Sequence, residues 1–487
     1  MSSPVLDSTV SSDHGALKGK MPNHVHDYFE TQAAFGDEWK RRNWYYHKSV
    51  TELVRFLVPE GQSVLEVGSG TGDLLAALKP SRGVGLDSSD NMLQIAHSKY
   101  PELEWRKGDA DSLAIEGHFD YLVLSDLIGY LHDVQRAFRS LHGVCNPRTR
   151  VIVTQYNYLW EPVLRLAQAL KLKAPVPIQN WLLSADIENM LYLAGFEVIK
   201  KGSKLLFPKY IPLLSSFLNK FAVNLPILRH FGVVQYYVAR PIPSERKECS
   251  VSVVIPCRNE RGNIEQALLR LPEFGRSLEI IYIEGNSTDG TLEEVKRVAQ
   301  IYGQQRNIRW AVQDGQGKGD AVRKGFAMAS GDILMILDAD LTVAPEALPE
   351  FYDAARLGKG EFINGSRLVY AMERDAMRFF NIIGNKFFSM MFTWLLGQRI
   401  KDTLCGTKVL FKRDYDRIVA QRSYFGDFDP FGDFDLLFGA AKLNLRIVEL
   451  PVRYYARTYG QTNIQRWRHG WLLLRMVVFA MRKMKFV

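Results

Sequence analysis

Short apolar strands alternate with helical stretches along almost the whole chain, and one polar, proline-bearing run, PIPSERKECS at 241–250, interrupts them. Ahead of that run, strands are predicted at 63–67, 84–86, 121–124 and 151–154, with helices at 90–99 and 133–142. Behind it the same rhythm returns, with strands at 252–255, 280–283 and 333–337. Strands separated by helices fold into largely parallel sheets covered on both faces, so each half reads as its own α/β unit. A chain of 487 residues also exceeds what one hydrophobic core supports. The expected organisation is a flexible tail at 1–25, a first domain at 26–240, a linker at 241–250, a second domain at 251–465 and a basic amphipathic helix at 466–487. The halves show no sequence repeat of one another, which points to two different chemistries.

Composition narrows the setting. Hydrophobic residues at 47% and charged residues at 24% exclude a disordered chain, and no apolar run is long enough to span a bilayer. The first twenty residues carry no apolar signal core, so a cytoplasmic protein is expected. Cys145, Cys249, Cys257 and Cys405 are scattered without a CxxC pair; any metal is therefore expected on oxygen ligands. The net charge of +9 is concentrated after Pro451, where eight Lys or Arg residues meet no Asp or Glu. Arg468, Arg475 and Arg482 recur every seventh residue there, while Trp467, Trp471, Leu474, Val478 and Met481 can share another side. That pattern suits a helix lying on an anionic membrane at the inner face of the cell, or one packed on its own domain, more than a nucleic-acid patch.

In the first half, VLEVGSGTGDLL is a buried strand running through Gly68, Gly70 and Gly72 into a helix. Glycines let a ligand approach the backbone at the carboxyl end of a sheet. The spacing is G-x-G-x-G with Glu66 ahead of it, not the G-x-G-x-x-G of dinucleotide sites. The next strand ends at Asp87, and KGDADSL follows with Asp109. This run resembles the class I S-adenosylmethionine-dependent methyltransferases over about residues 45–240. The resemblance implies a Rossmann-like fold in which Glu66, Gly68, Gly70, Gly72, Asp87 and Asp109 surround S-adenosylmethionine, Asp87 on the ribose hydroxyls and Asp109 near the adenine. A carboxylate, with two acceptor oxygens, suits a diol. Asp126, Tyr130 and His132 follow the fourth strand, where a group facing the methyl acceptor could sit.

In the second half, LMILDADLTVAP ends a buried strand in two carboxylates, Asp338 and Asp340. Such a placement costs several kcal/mol unless a cation, a donor cluster or water compensates it. Two residues apart, they can share a divalent ion; they also fit solvated loop carboxylates or a helix N-cap, since Thr342 and 345–348 could open a helix. Together with SVVIPCRNERGNI, IIYIEGNSTDGT and GQGKGD, this block resembles the GT-A fold of glycosyltransferase family 2, above all its polyprenyl-phosphate branch, over about residues 250–463. The resemblance implies that Asp338 contacts the nucleotide and that Asp340 binds Mg2+ or Mn2+, which holds the diphosphate of a nucleotide sugar donor. It places Glu260 and Glu284 around base and ribose, Pro256 and Asp289 in the same donor-binding set, and Lys318 at a phosphate. Where that family commonly reads DDGSTDGT this chain has EGNSTDGT, which leaves UDP and GDP both open.

Arg367, Arg378 and Arg457 match positions that bind donor and acceptor phosphates in the polyprenyl-phosphate synthases, whereas Arg374 beside Glu373 reads as ion pairing. FGDFDPFGDFDLLFG supplies Asp433 and Asp435, candidate bases if the acceptor is a hydroxyl. The apolar segment NIIGNKFFSMMFTWLLGQRI suits a core helix or a surface receiving a lipid tail. The expectation is a bifunctional enzyme: metal-dependent, inverting sugar transfer to a polyprenyl phosphate, plus methyl transfer to an unspecified acceptor. A glycan or small-molecule hydroxyl acceptor, or a scaffold of two degenerate nucleotide folds, are the competing readings.

Overall fold

The computed structural model describes residues 23–174, 176, 179–243, 248–367, 379–422, 433–455, 457, 459 and 466–485. Each alternating run becomes a seven-stranded sheet with helices against it. The first sheet uses β1 (Ser63–Val67), β2 (Arg82–Asp87), β3 (Glu104–Lys107), β4 (Phe119–Ser125), β5 (Cys145–Tyr156), β6 (Phe196–Lys204) and β7 (Val234–Pro241), in the order β3-β2-β1-β4-β5-β7-β6. All neighbours are parallel except β7, which runs against both β5 and β6. The second sheet uses β8 (Ser250–Cys257), β9 (Ser277–Glu284), β10 (Asn307–Val312), β11 (Ile333–Ile336), β12 (Phe362–Ser366), β13 (Lys408–Phe411) and β14 (Ile447–Pro451), ordered β10-β9-β8-β11-β13-β12-β14. There β13 is the antiparallel strand.

The central strands are apolar on both faces because helices cover both: Val64, Leu65, Val253, Val254, Ile281 and Leu334 are all fully buried. Chain direction across the sheet reverses between β1 and β4 in one domain and between β8 and β11 in the other. Ligands of open α/β sheets bind in the crevice that such a reversal opens at the carboxyl ends of the strands. The glycine turn after β1 and the two aspartates after β11 both sit at these ends.

The expected linker proves shorter than 241–250, because β7 takes in Pro241 and β8 begins at Ser250. The domains are joined instead by a buried charge cluster. Arg150 of β5 meets Glu361 at 2.6 Å and the Asn444 carbonyl at 2.8 Å, and Arg240 of β7 meets Glu361 at 3.4 Å and the Gly358 carbonyl at 2.7 Å. Burial opposes the charge on Glu361, but the two guanidiniums and the Arg446 amide more than offset it and hold its carboxyl below its ordinary value.

The last helix, Arg466–Ala480, continues through a wide turn, Met481–Lys485, and packs on its own domain, one of the two expectations for it. Met476, Val477, Ala480 and Met484 enter the core, whereas Trp471, Leu474 and Val478 stay exposed. The helix Phe379–Leu396 likewise sends Phe392, Leu395 and Leu396 into that core. Among the described residues no helix is long and apolar enough to cross a membrane.

Candidate functional sites

In the second domain the site is assembled from four chain segments. β8 delivers Glu260, which is 7% exposed; it accepts from Asn263 Nδ2 at 2.7 Å and faces Arg457 at 3.0 Å. Burial raises its carboxyl, Arg457 and Asn263 oppose the rise, and Asp340 and Asp289 add to it, leaving a value of about 7. β11 delivers Asp338 and Asp340 on either side of buried Ala339. Lys318, the first residue of the helix Lys318–Met328, lies 2.7 Å from Asp338. Burial resists ionisation of Asp338, but Lys318, Lys408 and Arg367 outweigh it and keep the carboxyl low. Asp340 meets Arg457 at 2.5 Å.

Thr342 does not cap a helix. Its amide and hydroxyl both donate to Asp340 Oδ1, at 3.1 and 2.8 Å, and the helix Leu348–Arg356 starts later, behind a short turn at Pro345–Ala347. Between them Leu341 adopts φ +55°, a left-handed bend that turns the chain sharply after Asp340. The returning strand segment then pairs with a distant one: Val343 bridges Tyr454, and the Tyr455 amide donates to the Thr342 carbonyl at 3.0 Å. That pairing is what carries Arg457 to Asp340 and Glu260, which it clamps together.

Other expected residues hold the site's frame. Glu284 spends both oxygens on its own turn, accepting the Ser287 amide at 2.6 Å and the Asn286 amide at 3.1 Å. Asp289, one residue before the N-cap Gly290 of the helix Thr291–Tyr302, accepts the Thr291 amide at 3.0 Å and also the Arg261 amide and the Tyr459 hydroxyl. Pro256 lies in β8 opposite Ile283, one residue before the strand ends. The guanidinium of Arg367 is taken up by Asp402, with Nε at 2.7 Å and Nη2 at 2.8 Å, a buried bidentate pair that sequence reasoning missed. Asp435 meets Arg422 at 3.5 Å on a cavity lined by Val322, Tyr415 and Ile418, with none of the donor-site carboxylates on its walls. Arg374 and Arg378, and the side chain of Asp433, lie outside the described residues.

Gly406 was also missed. A Cβ there would meet Asp338 Oδ2 at 1.8 Å and Lys318 Nζ at 2.5 Å, so the backbone is laid directly against the paired charges. The signal in the sequence is CGTK at 405–408, whose Lys408 is buried and donates to the Cys405 carbonyl.

In the first domain Gly68, Gly70 and Gly72 all take positive φ. A Cβ at Gly68 or Gly72 would strike Leu127 or Trp105, whereas Gly70 faces open space. Asp87 shapes that opening by accepting the Gly70 amide at 2.8 Å and the Ser89 amide at 3.0 Å. Glu66 is turned away from it: the carboxyl is 3% exposed, accepts the Leu75 amide at 3.0 Å, and is raised by burial to about 8. It is uncharged at neutral pH and braces the helix after the turn. Asp109 accepts the Asp111 amide at 3.3 Å beside the end of β3. From the amino-terminal helices, Lys40 reaches Thr71 and Asp73, and Glu30 accepts the Asp90 amide at 2.7 Å, so these helices close over the crevice.

Next to the glycine turn, Asp126 takes φ +53° and accepts the Tyr46 hydroxyl at 2.6 Å, with Tyr46 stacked on Tyr156. A pocket lined by Asp126, Gly129, Gln155, Tyr156, Gln179 and Asn180 opens here. Gln155, one of its lining residues, has a buried Oε1 without a hydrogen-bond partner among the described residues. Tyr130 packs edge-on against Phe29 at 5.2 Å, and His132 is exposed.

Comparison with known proteins agrees with this division. Residues 39–201 match the model of a methyltransferase domain, and residues 252–419 match glycosyl transferase family 2. The chain is 37% identical over 109 residues to a dolichol-phosphate mannosyltransferase of Saccharomyces cerevisiae, covering 21% of this chain and 40% of that protein. It is 29% identical over 220 residues to the dolichol-phosphate mannosyltransferase of Pyrococcus furiosus, covering 44% of this chain and 59% of that one. Among solved structures, an S-adenosylmethionine-dependent methyltransferase from Thermotoga maritima aligns at 18% identity and a TM-score of 0.36, over 45% of this chain and 99% of that one.

Proposed function

We propose that this chain, a methyltransferase domain joined to a family 2 glycosyltransferase domain, moves a sugar from a nucleotide-linked donor to a polyprenyl phosphate and a methyl group from S-adenosylmethionine to a separate acceptor. The observation that carries the sugar-transfer reading is the convergence of Asp338, Asp340, Lys318, Arg457 and Glu260 at the β8/β11 switch point. A nucleoside diphosphate is the ligand whose charge such a mixed cluster balances. Lys318 and Arg457 supply cations for its phosphates, and Asp338 and Asp340 supply oxygen donors for a divalent ion.

The residues present fit Mg2+ or Mn2+. Such ions are commonly bound by one or two carboxylates with substrate phosphates completing the shell, and among the described residues no cluster of three acidic, His or Cys side chains completes one alone. When bound, the ion offsets charge developing on the departing nucleotide. Arg457, released from Asp340 and Glu260, is placed to meet phosphate, and loss of that cation removes the main effect opposing the burial-driven rise of the Glu260 carboxyl, which favours its protonated form as a donor to the nucleoside. A phosphate acceptor is already anionic near neutral pH and displaces the nucleotide from the anomeric carbon with inversion, without a general base. Likeness to dolichol-phosphate mannosyltransferases supports that acceptor class, and the exposed apolar residues of the terminal helix support peripheral binding at a membrane.

The test is a screen of UDP- and GDP-sugars with and without short-chain polyprenyl phosphates, with Mn2+ added or chelated. Sugar transfer to the lipid phosphate by wild type and its loss in Asp340→Asn are expected, with S-adenosylmethionine binding retained. Full transfer by Asp340→Asn refutes the metal assignment.

A further inference from the structure

Between β6 and β7 the first domain carries a long connection at 205–233 that contains a helix of inverted polarity. In its helix Leu214–Lys220 the buried positions are Ser215 and Asn219, one turn apart. Ser215 Oγ donates to the Lys209 carbonyl at 2.8 Å and accepts the Ile211 amide at 2.7 Å. Asn219 exchanges bonds with the backbone of Phe207 at 2.8 and 2.9 Å and reaches the Tyr45 hydroxyl at 3.2 Å. The polar groups therefore pin the helix from beneath, and although Leu205, Ala222, Val223 and Val233 are buried, the larger apolar side chains are left outward: Leu213 is 89% exposed, Ile227 76%, Phe217 60% and Phe231 51%. Isolated exposed apolar residues are ordinary, but several large ones crowded onto one short connection and held outward by an internal hydrogen-bonded frame point to an interaction surface.

Charge and continuity identify the occupant. From 205 to 233 the chain contains three Lys or Arg residues and no Asp or Glu, and all three, Lys209, Lys220 and Arg229, are exposed among the apolar side chains. The surface does not stop at the domain boundary. Asn224, in the turn after this helix, donates to the Lys485 carbonyl at 3.2 Å and accepts from Trp394 Nε1 at 2.7 Å, which seats it against the end of the terminal helix. That helix adds Trp471, 65% exposed, with Arg475 one turn on and Arg482 farther along, both exposed.

We propose that the 205–233 connection of the methyltransferase domain is a docking surface for an anionic lipid bilayer, continuous with the terminal helix, so that both domains rest on one membrane face. Apolar side chains of such a surface enter the acyl boundary while Lys and Arg meet acidic head groups. The proposal does not depend on the sugar acceptor, and its test omits polyprenyl phosphate.

The test is co-sedimentation of the full chain with phosphatidylcholine vesicles, with and without phosphatidylglycerol, at low and high salt. Wild type is expected on the phosphatidylglycerol vesicles, with binding falling as salt rises. The double variant Phe217→Asp, Ile227→Asp is expected to lose binding at least tenfold, and Lys220→Glu, Arg229→Glu to lose it selectively on the anionic vesicles. Hydrogen exchange of the unaltered chain gives a check free of folding defects, with 205–231 expected to gain protection on vesicles. Unchanged binding by both variants, or no added protection of 205–231, overturns the proposal. So does self-association of the wild type in the absence of lipid that Phe217→Asp, Ile227→Asp abolishes, because the face then belongs to a second copy of the chain.

Discussion

Gly406→Ala tests the donor-site geometry with a single methyl group. The new Cβ would lie 1.8 Å from Asp338 Oδ2, whereas ordinary contact begins at 3.4 Å, so the carboxylate must retreat by 3.4 − 1.8, or about 1.6 Å. The backbone cannot yield in its place: the Thr407 carbonyl accepts the Gly365 amide at 2.9 Å, and the Cys405 carbonyl is held by buried Lys408. Lys318 is displaced as well, since its Nζ lies 2.5 Å from the same Cβ and 2.7 Å from Asp338. Misplacing a positioned group by more than about 1 Å costs on the order of 10²-fold in rate. Initial rates of transfer from the nucleotide sugar are therefore expected to fall by about two orders of magnitude. S-adenosylmethionine affinity, measured by calorimetry on the same preparation, is expected to be unchanged. Transfer within a factor of about three of wild type would refute the claim that Asp338 works from the position it holds against this backbone.

Three further outcomes follow from the geometry. Glu361→Gln leaves Arg150 buried without its ion-pair partner, while Arg240 keeps Glu197, and should cost about 3–5 kcal/mol, read by calorimetry as loss of a joint unfolding transition for the two domains; an unchanged trace contradicts it. Glu66 holds its proton up to about pH 8 in the folded chain but only to about 4.5 when unfolded, so its stabilising contribution is complete below pH 4.5 and is lost as pH rises toward 8. Within that window wild type should lose about 1.4 kcal/mol per pH unit relative to Glu66→Gln, and parallel stability curves would show that Glu66 is ionised in the fold. Asp87→Ala removes the acceptor of the Gly70 amide and a partner for a ribose diol; it should weaken S-adenosylmethionine binding by tenfold or more in titration calorimetry, with sugar transfer intact.

Much of this architecture could be read from periodicity and punctuation. The strands ending at Val67, Asp87 and Cys257 are apolar runs bounded by turn residues, and the structure places them within a residue or two of expectation. The aspartates after β11 were legible because a carboxylate pair closing a buried strand demands compensation. What compensates them was only half legible. Arg457 reaches Asp340 across 117 positions through the Val343–Tyr454 bridge, and no local pattern encodes that return. Asp402, which occupies Arg367, stands 35 positions away, and nothing in its own neighbourhood distinguishes it from a surface acid. Glu66 and Glu284 were expected to face ligands because a carboxylate at a strand end is indistinguishable, in sequence, from one turned back onto backbone amides. The inverted helix at 214–220 was missed for the opposite reason: its apolar residues look like core until Ser215 and Asn219 are seen beneath them.

The Arg150–Glu361–Arg240 cluster has a mechanical consequence. Bending the domains apart at this joint would strip Arg150 of Glu361 and of the Asn444 carbonyl, and Arg240 of the Gly358 carbonyl, in a place water does not reach. The cluster therefore opposes interdomain bending with the cost of uncovering buried charge, a resistance that an apolar seam of the same size would not supply.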